Sequence, residues 1–256
     1  ATPSAAHAEQ SIAALNAGKA VFCQKPLGRT GPEVAEVVEA ARRADRLLGV
    51  DLSYRQTAAM GAIRPLLDEG ALGHVFGVDV TFHNAWGPDK PWFYDPALSG
   101  GGCVVDLGVH MVDLALWALD WPTVERVESR LYAKGAPLSD PARQVEDYAV
   151  ATINLTGGTT IRLGCSWGLQ AGREAVIAAE FFGTEGGEHA GAGIVGPGAA
   201  EADDDALHAL RERGVEQLAE AVGGGDAGVA LGGVEQVQTV AWADSTQAVR
   251  RPPSSA

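Results

Sequence analysis

From Gly100 to Trp117 the chain is apolar on nearly every side, the pattern of a helix enclosed by the rest of a protein. Within that run the acidic and basic side chains are Asp106, His110 and Asp113, at i, i+4 and i+7. On a regular helix this spacing puts all three on one narrow face. A buried ion costs on the order of several kcal/mol unless it is paired, so the stripe needs an explanation. One explanation is structural, a polar stripe that faces solvent or caps a neighbour. The other is chemical, an imidazole held by a carboxylate one turn away and ready to move protons.

The flanking segments indicate what encloses this helix. Ser4 is a candidate N-cap for a helix over residues 5–17, with Ala8, Ile12 and Leu15 on one face and Gly18 as its stop. Ala20-Val21-Phe22-Cys23 is a short unbroken apolar run, as expected of a strand covered on both faces. Thr30-x-x-Glu33 is a capping box that opens a second helix, with Val34, Val37, Val38 and Ala41 on its core side. Leu47-Leu48-Gly49-Val50 is a second buried-strand candidate. Helix, strand, helix, strand at this spacing is the mark of parallel βαβ units. Two such strands make a poor sheet, so more of the sheet is expected ahead of Ala1.

After Tyr54-Arg55 the pattern changes. Residues 57–69 read as a helix with Met60, Ile63 and Leu67 inward, stopped by Gly70. Residues 75–84 alternate, with Val78, Val80 and Phe82 on one side and Asp79, Thr81 and His83 on the other, as in a half-buried antiparallel strand. A loop rich in Trp and Pro (Trp86, Pro88, Pro91, Trp92, Pro96) leads into the central helix. Further alternating runs cover 125–133, 148–155, 160–167 and 175–182, and Thr156-Gly157-Gly158 is a strong hairpin signal between two of them. The second part thus reads as a mainly antiparallel sheet with helices on one face. Residues 186–205 read as loop or mobile segment, followed by helices near 206–222 and 234–248 and a frayed tail over 250–256. Gly191-x-Gly193-x-x-Gly196 has the letters of a dinucleotide fingerprint, but no continuous strand leads into it and Pro197-Gly198 follows.

Composition excludes several partner classes. A formal charge of −14 over 256 residues, with lysine only at Lys19, Lys25, Lys90 and Lys134, is a poor match for nucleic acid or an anionic membrane surface. No apolar run is read as reaching the roughly 20 residues that span a bilayer. Cys23, Cys103 and Cys165 are odd in number and far apart, which argues against a disulfide framework or a zinc site and for a reducing, cytoplasmic setting.

Three motifs occur in one order: Thr2-Pro3-x-x-x-His7, Gln24-Lys25-Pro26 after an apolar strand, and Gly100-Gly101-Gly102-x-x-x-Asp106-x-Gly108-x-His110-x-x-Asp113. With Trp92-Phe93-x-Asp95-Pro96 and Phe182-Gly183-Thr184-Glu185-Gly186, the sequence resembles the glucose–fructose oxidoreductase / inositol dehydrogenase / rhizopine catabolism (Gfo/Idh/MocA) family over nearly its whole length. The resemblance implies α/β plus α+β architecture. Residues 1–53 would be the remaining half of a dinucleotide-binding Rossmann domain. Residues 54–256 would be a substrate-binding and oligomerisation domain built on an open, mainly antiparallel sheet flanked by helices. It implies NAD or NADP as cofactor, a sugar, cyclitol or related polyol as substrate, and a homodimer or homotetramer formed through the sheet. The family's glycine-rich turn and its ribose-reading acid would lie upstream of Ala1. Gln24 departs from the family's usual Glu; it can hydrogen-bond but carries no charge.

On this resemblance His110 is the proton acceptor, oriented by Asp106, and Lys25 stabilises the developing alkoxide. The structural alternative for Lys25 is an exposed loop lysine. Thr2, Pro3, Ser4, His7, Gln24, Lys25, Pro26 and Arg55 are the cofactor-side candidates, although His7 reads equally well as a surface residue. Lys25, Trp92, Asp106, His110 and Asp113 are the substrate-side candidates. His83 and Trp86 join Trp92 as aromatics that either line a sugar pocket or pack locally. Asp113 reads as support for the helix or as a partner of a substrate hydroxyl. Two other functional classes stay open: a non-catalytic binding or dimerisation module of the same family, and a metal-dependent isomerase using Asp106, His110 and Asp113. The second leaves Lys25 without a role, and no metal site is expected.

Overall fold

The computed structural model describes residues 2–185 and the backbone of residues 190–194. The helices expected near 206–222 and 234–248, and the tail, lie outside the described residues. The first body is α1 (His7–Asn16), β1 (Val21–Gln24), α2 (Gly31–Ala44) and β2 (Leu48–Asp51), with β1 and β2 parallel in register Val21↔Leu48 to Gln24↔Asp51. Its core is Leu15, Leu27, Val34, Val37, Val38 and Ala40, where both helices cover one face of the two strands. The other face is open, so Phe22 is 74% exposed and lies across Gly49. The expectation that the Ala20–Cys23 run is covered on both faces is therefore corrected.

Two caps also differ from the sequence reading. Ser4 is not an N-cap: it is buried inside a 3-10 turn, Ser4–Ala6, that is flanked by Pro3 and makes no side-chain cap bond. The capping box of α2 is offset by one residue. Thr30 accepts from the Glu33 amide at 3.3 Å, but the Glu33 carboxylate reaches back to the Arg29 amide at 2.6 Å rather than to that of Thr30.

The second body begins with α3 (Ala58–Asp68), capped by Thr57, which buries Met60 and Ile63. Its sheet comprises β3 (Val75–Asn84), β4 (Val124–Ala133), the two-residue β5 (Ala136–Pro137), β6 (Tyr148–Leu155), β7 (Thr160–Ser166), β8 (Ala175–Gly183) and β9 (Ala190–Ile194). The strand order is β5-β4-β6-β7-β3-β8-β9. Strand β3 is antiparallel to β8 but parallel to β7, because it enters the sheet between them running in the direction of β7. The sheet is thus mixed at that one joint and antiparallel elsewhere. Strand β9 corrects the loop expectation at 190–194, while the rest of 186–205 lies outside the described residues: Gly191 and Gly193 sit in an antiparallel pairing with β8, Ile177↔Ile194 to Phe181↔Ala190.

The central helix lies on this sheet. It follows a short α4 (Pro96–Ser99), starts with a π-helical turn, Val104–Gly108, and continues as α5 (Val109–Ala118). By length and composition the run Pro96–Ala118 would suffice to cross a membrane, contrary to the sequence reading. Of its apolar 18-residue window 83% is buried inside the protein, which marks it as a core helix. Two of its leading glycines are structurally required. Gly100 has φ +87° and ends α4 in the left-handed region. A Cβ on Gly102 would stand 1.9 Å from the Glu146 carbonyl oxygen.

Candidate active site

The glycine-led helix start is held from across the sheet. Buried Glu146 accepts from the amides of Gly102 (3.0 Å) and Val104 (2.9 Å), and its carbonyl accepts from the Cys103 amide at 2.9 Å. Burial pushes the Glu146 carboxyl up, while those amides pull it back. Sequence reading did not single out Glu146; an acid two residues ahead of an apolar strand was its signal.

Lys25 follows β1, next to the cis Lys25–Pro26 peptide, and crosses to the π turn of the second body. Its Nζ donates to Asp106 Oδ1 at 2.6 Å and to the Asp106 main-chain carbonyl, and both side chains are largely buried. Lys25 is therefore not an exposed loop lysine. The other carboxylate oxygen, Oδ2, accepts from the indole N–H of Trp167 at 3.1 Å.

Asp106 consequently has no hydrogen bond to His110, which corrects the orienting role read from the i, i+4 spacing. Asp106 lies in the wide π turn and His110 in α5, and both Asp106 carboxylate oxygens are taken, by Lys25 and by Trp167. His110 is buried against Tyr54 (ring centroids 4.8 Å apart) and Phe82 (6.4 Å). Its Nδ1 has no hydrogen-bond partner among the described residues. Burial first, and then the charge of Lys25, push its pKa down to about 3, so the ring is neutral.

Arg55 and Asp113 are taken by each other. Arg55 Nε donates to Asp113 Oδ2 at 2.6 Å, Nη2 donates to Oδ1, and the guanidinium stacks 5.0 Å from the Trp121 ring. Burial raises the Asp113 pKa and the Arg55 charge opposes it. Neither residue is among those that line the cavity. Through this pair Asp113 ties the segment around Arg55 to the central helix.

Between the two bodies lies a cavity of about 560 Å³. The first body lines it with Thr2, Ser4, His7, Gln24, Lys25 and Pro26. The second contributes Trp92, Phe93 and Asp106. Pro3, Arg55, His110 and Asp113 do not line it. His7 is buried, and its Nδ1–H donates to the Pro26 carbonyl at 2.7 Å. The Cys23 sulfur, with help from that carbonyl, lifts the His7 pKa against the effect of burial. His83 pairs with Ser166 at 2.7 Å and stacks on Tyr148, Trp86 is exposed, and neither joins Trp92 in the lining.

Among the described residues no group of His, Cys, Asp and Glu is arranged to hold a metal ion. The set an isomerase would need is dispersed: Asp106 to Lys25 and Trp167, Asp113 to Arg55, His110 to an aromatic pocket.

Comparison with known proteins gives matches to both bodies. Residues 1–52 match the family model described as "Oxidoreductase family, NAD-binding Rossmann fold", and residues 60–187 match "GFO/IDH/MocA C-terminal domain". The D-glucoside 3-dehydrogenase of Escherichia coli (strain K12) is 29% identical over 196 residues, covering 73% of this chain and 56% of that protein. The levoglucosan dehydrogenase of Pseudarthrobacter phenanthrenivorans is 29% identical over 206 residues, covering 73% and 53%. Among solved structures, GenD2 from gentamicin A biosynthesis in complex with NAD superposes with a TM-score of 0.69 at 30% identity, covering 79% of this chain and 55% of that one. Levoglucosan dehydrogenase with NADH and levoglucosan gives 0.63 at 28% identity, covering 72% and 51%. The chain spans about half the length of the curated relatives it matches.

Proposed function

The chain belongs to the Gfo/Idh/MocA oxidoreductase family, and on that premise we propose that it serves hydride transfer between NAD or NADP and a sugar, cyclitol or related polyol. The observation that carries this reading is the Lys25–Asp106 pair, 2.6 Å apart, at the cavity between the two bodies. The lining fits the nicotinamide end of a dinucleotide. Thr2, Ser4, His7 and Gln24 offer hydroxyl, imidazole and amide groups on one wall, and the Trp92–Phe93 stack forms an apolar wall opposite. When bound, the nicotinamide supplies the hydride acceptor or donor.

The chain's own residues handle the proton and the charge. Lys25, held by Asp106, presents an ammonium to the substrate oxygen, which gains alkoxide character as its proton is removed and becomes the carbonyl oxygen as the hydride leaves. Trp92 presents a ring face to sugar C–H groups. His110 takes the proton. Burial and the Lys25 charge keep its imidazole unprotonated in the resting chain; the ring does not line the cavity there, so on this assignment it takes the proton once the bound complex gives the substrate hydroxyl access to it. Proton uptake is thereby tied to the bound complex.

We assign the sheet as the surface for a second copy of the chain, giving a homodimer or homotetramer; Val150 on β6 is 37% exposed there. The free thiols Cys23, Cys103 and Cys165 support a cytoplasmic setting. The test is reduction of NAD and of NADP over a panel of sugars and cyclitols, followed by absorbance of the reduced nicotinamide. Turnover with at least one member, lost in Lys25→Met, is the expected result. Turnover that survives both Lys25→Met and His110→Asn would reject the assigned roles. A chain that binds sugar but turns over none would be a binding module.

A further inference from the structure

Asp106 has two carboxylate oxygens and Lys25 occupies one. The group on the other is Trp167, immediately beyond β7, which is 6% exposed. Its backbone is fixed by a bond from its own amide to the Asp147 carbonyl at 2.7 Å. Its ring is bracketed by Phe93 and Tyr94, edge-on, with centroids 6.2 and 5.7 Å away. Phe93 in turn stacks at 3.8 Å on Trp92, which walls the cavity.

From this arrangement we infer that Trp167 is the positioning residue of the site: its indole N–H holds Asp106 so that the carboxylate holds Lys25. The inference rests on the hydride-transfer reading for what Lys25 does, but not for how Lys25 is held. Indole suits this task better than other donors. It donates and cannot accept, so it never competes with Asp106 for the Lys25 protons. It has few rotatable bonds, and packing on both sides fixes them. Its apolar body keeps water from Oδ2, leaving the carboxylate to face Lys25 with its other oxygen. Because Phe93 touches both Trp92 and Trp167, a ligand seated against Trp92 presses on the residue that aligns Asp106.

The test uses the whole chain and needs no turnover, so it can fail while the dehydrogenase reading stands, and the reverse. In the protein labelled with nitrogen-15 at tryptophan, the Trp167 indole signal is identified by its loss in Trp167→Phe. In Asp106→Asn and in Lys25→Met that signal should move upfield, as a charged and aligned acceptor is replaced or released, while the other five indole signals stay. Limiting acetic anhydride then reads Lys25 by peptide mass, with Lys19, Lys90 and Lys134 as internal references. Trp167→Phe keeps the ring stack and removes the N–H, and should raise Lys25 acetylation several-fold relative to the other three lysines. A Trp167 signal unmoved by Asp106→Asn overturns the proposal. So does acetylation that is unchanged, or that rises equally at all four lysines, the mark of general loosening. Should Trp167→Phe fail to fold, the Trp167 indole signal is identified in the unaltered protein by elimination, from the loss of one signal in each of the other five single Trp→Phe variants, and its response to Asp106→Asn decides alone.

Discussion

Arg55 and Asp113 neutralise one another almost out of contact with water, their side chains 9% and 1% exposed, and so fasten the segment between the two bodies to the central helix. Removing one partner strands a charge. Arg55→Met or Asp113→Leu should each cost about 3–5 kcal/mol in urea unfolding, whereas the double apolar replacement should recover most of that loss. Additive losses in the double variant would show that the pair is not the unit.

His110 makes stability depend on pH with a definite sign. Its folded pKa of about 3 lies below the ordinary value of 6.5, so the unfolded chain binds the proton first. The neutral ring's contribution is fully present above 6.5 and is lost as pH falls toward 3. The difference in unfolding free energy between the protein and His110→Asn should therefore shrink on acidification through that window. A difference independent of pH would contradict the buried, neutral ring.

Glu146 and Gly102 close the start of the central helix. Glu146→Ala leaves the Gly102 and Val104 amides buried without an acceptor, at about 1–3 kcal/mol each, and Glu146→Gln should cost less because it keeps an acceptor. Gly102→Ala forces a methyl against the Glu146 carbonyl and should destabilise by at least about 1–3 kcal/mol. Denaturant midpoints of the three variants check the ordering.

Cys103 and Cys165 are fully buried, with their sulfurs 3.8 Å apart. Burial, and then the neighbouring Cys165, push the Cys103 thiol far up, so it offers no thiolate. Iodoacetamide should leave both untouched in the folded chain at mildly alkaline pH and label both in denaturant. Labelling of either before unfolding would show that this part of the core opens.

For turnover, Lys25→Ala should lower the hydride-transfer rate by about 10²–10³-fold, the loss typical of removing one donor that stabilises a developing oxyanion. Single-turnover kinetics, which separate chemistry from product release, are the measurement.

What the sequence made legible was what repeats locally. The alternation of Val78, Val80 and Phe82 located β3, the spacing of Met60, Ile63 and Leu67 before Gly70 located α3, and the glycine triplet located the helix start. What stayed hidden depends on contacts across the chain. Trp167 is 61 residues from Asp106, and Arg55 is 58 from Asp113, so no spacing rule joins them. Strand β3 alternates in the same way whether its neighbour runs with it or against it, so the parallel joint to β7 left no trace in the pattern. Phe22 showed the converse: an apolar run indicates what a strand can bury, not what covers it.

The π turn at Val104–Gly108 gives the central helix one residue more than its length requires. A turn wound this widely departs from the rule that each carbonyl inside a helix serves the amide four residues on. The Asp106 carbonyl lies inside it and accepts from Lys25, as the Asp106 carboxylate does. One wide turn thus presents a single residue to the ammonium twice, through its side chain and through its backbone.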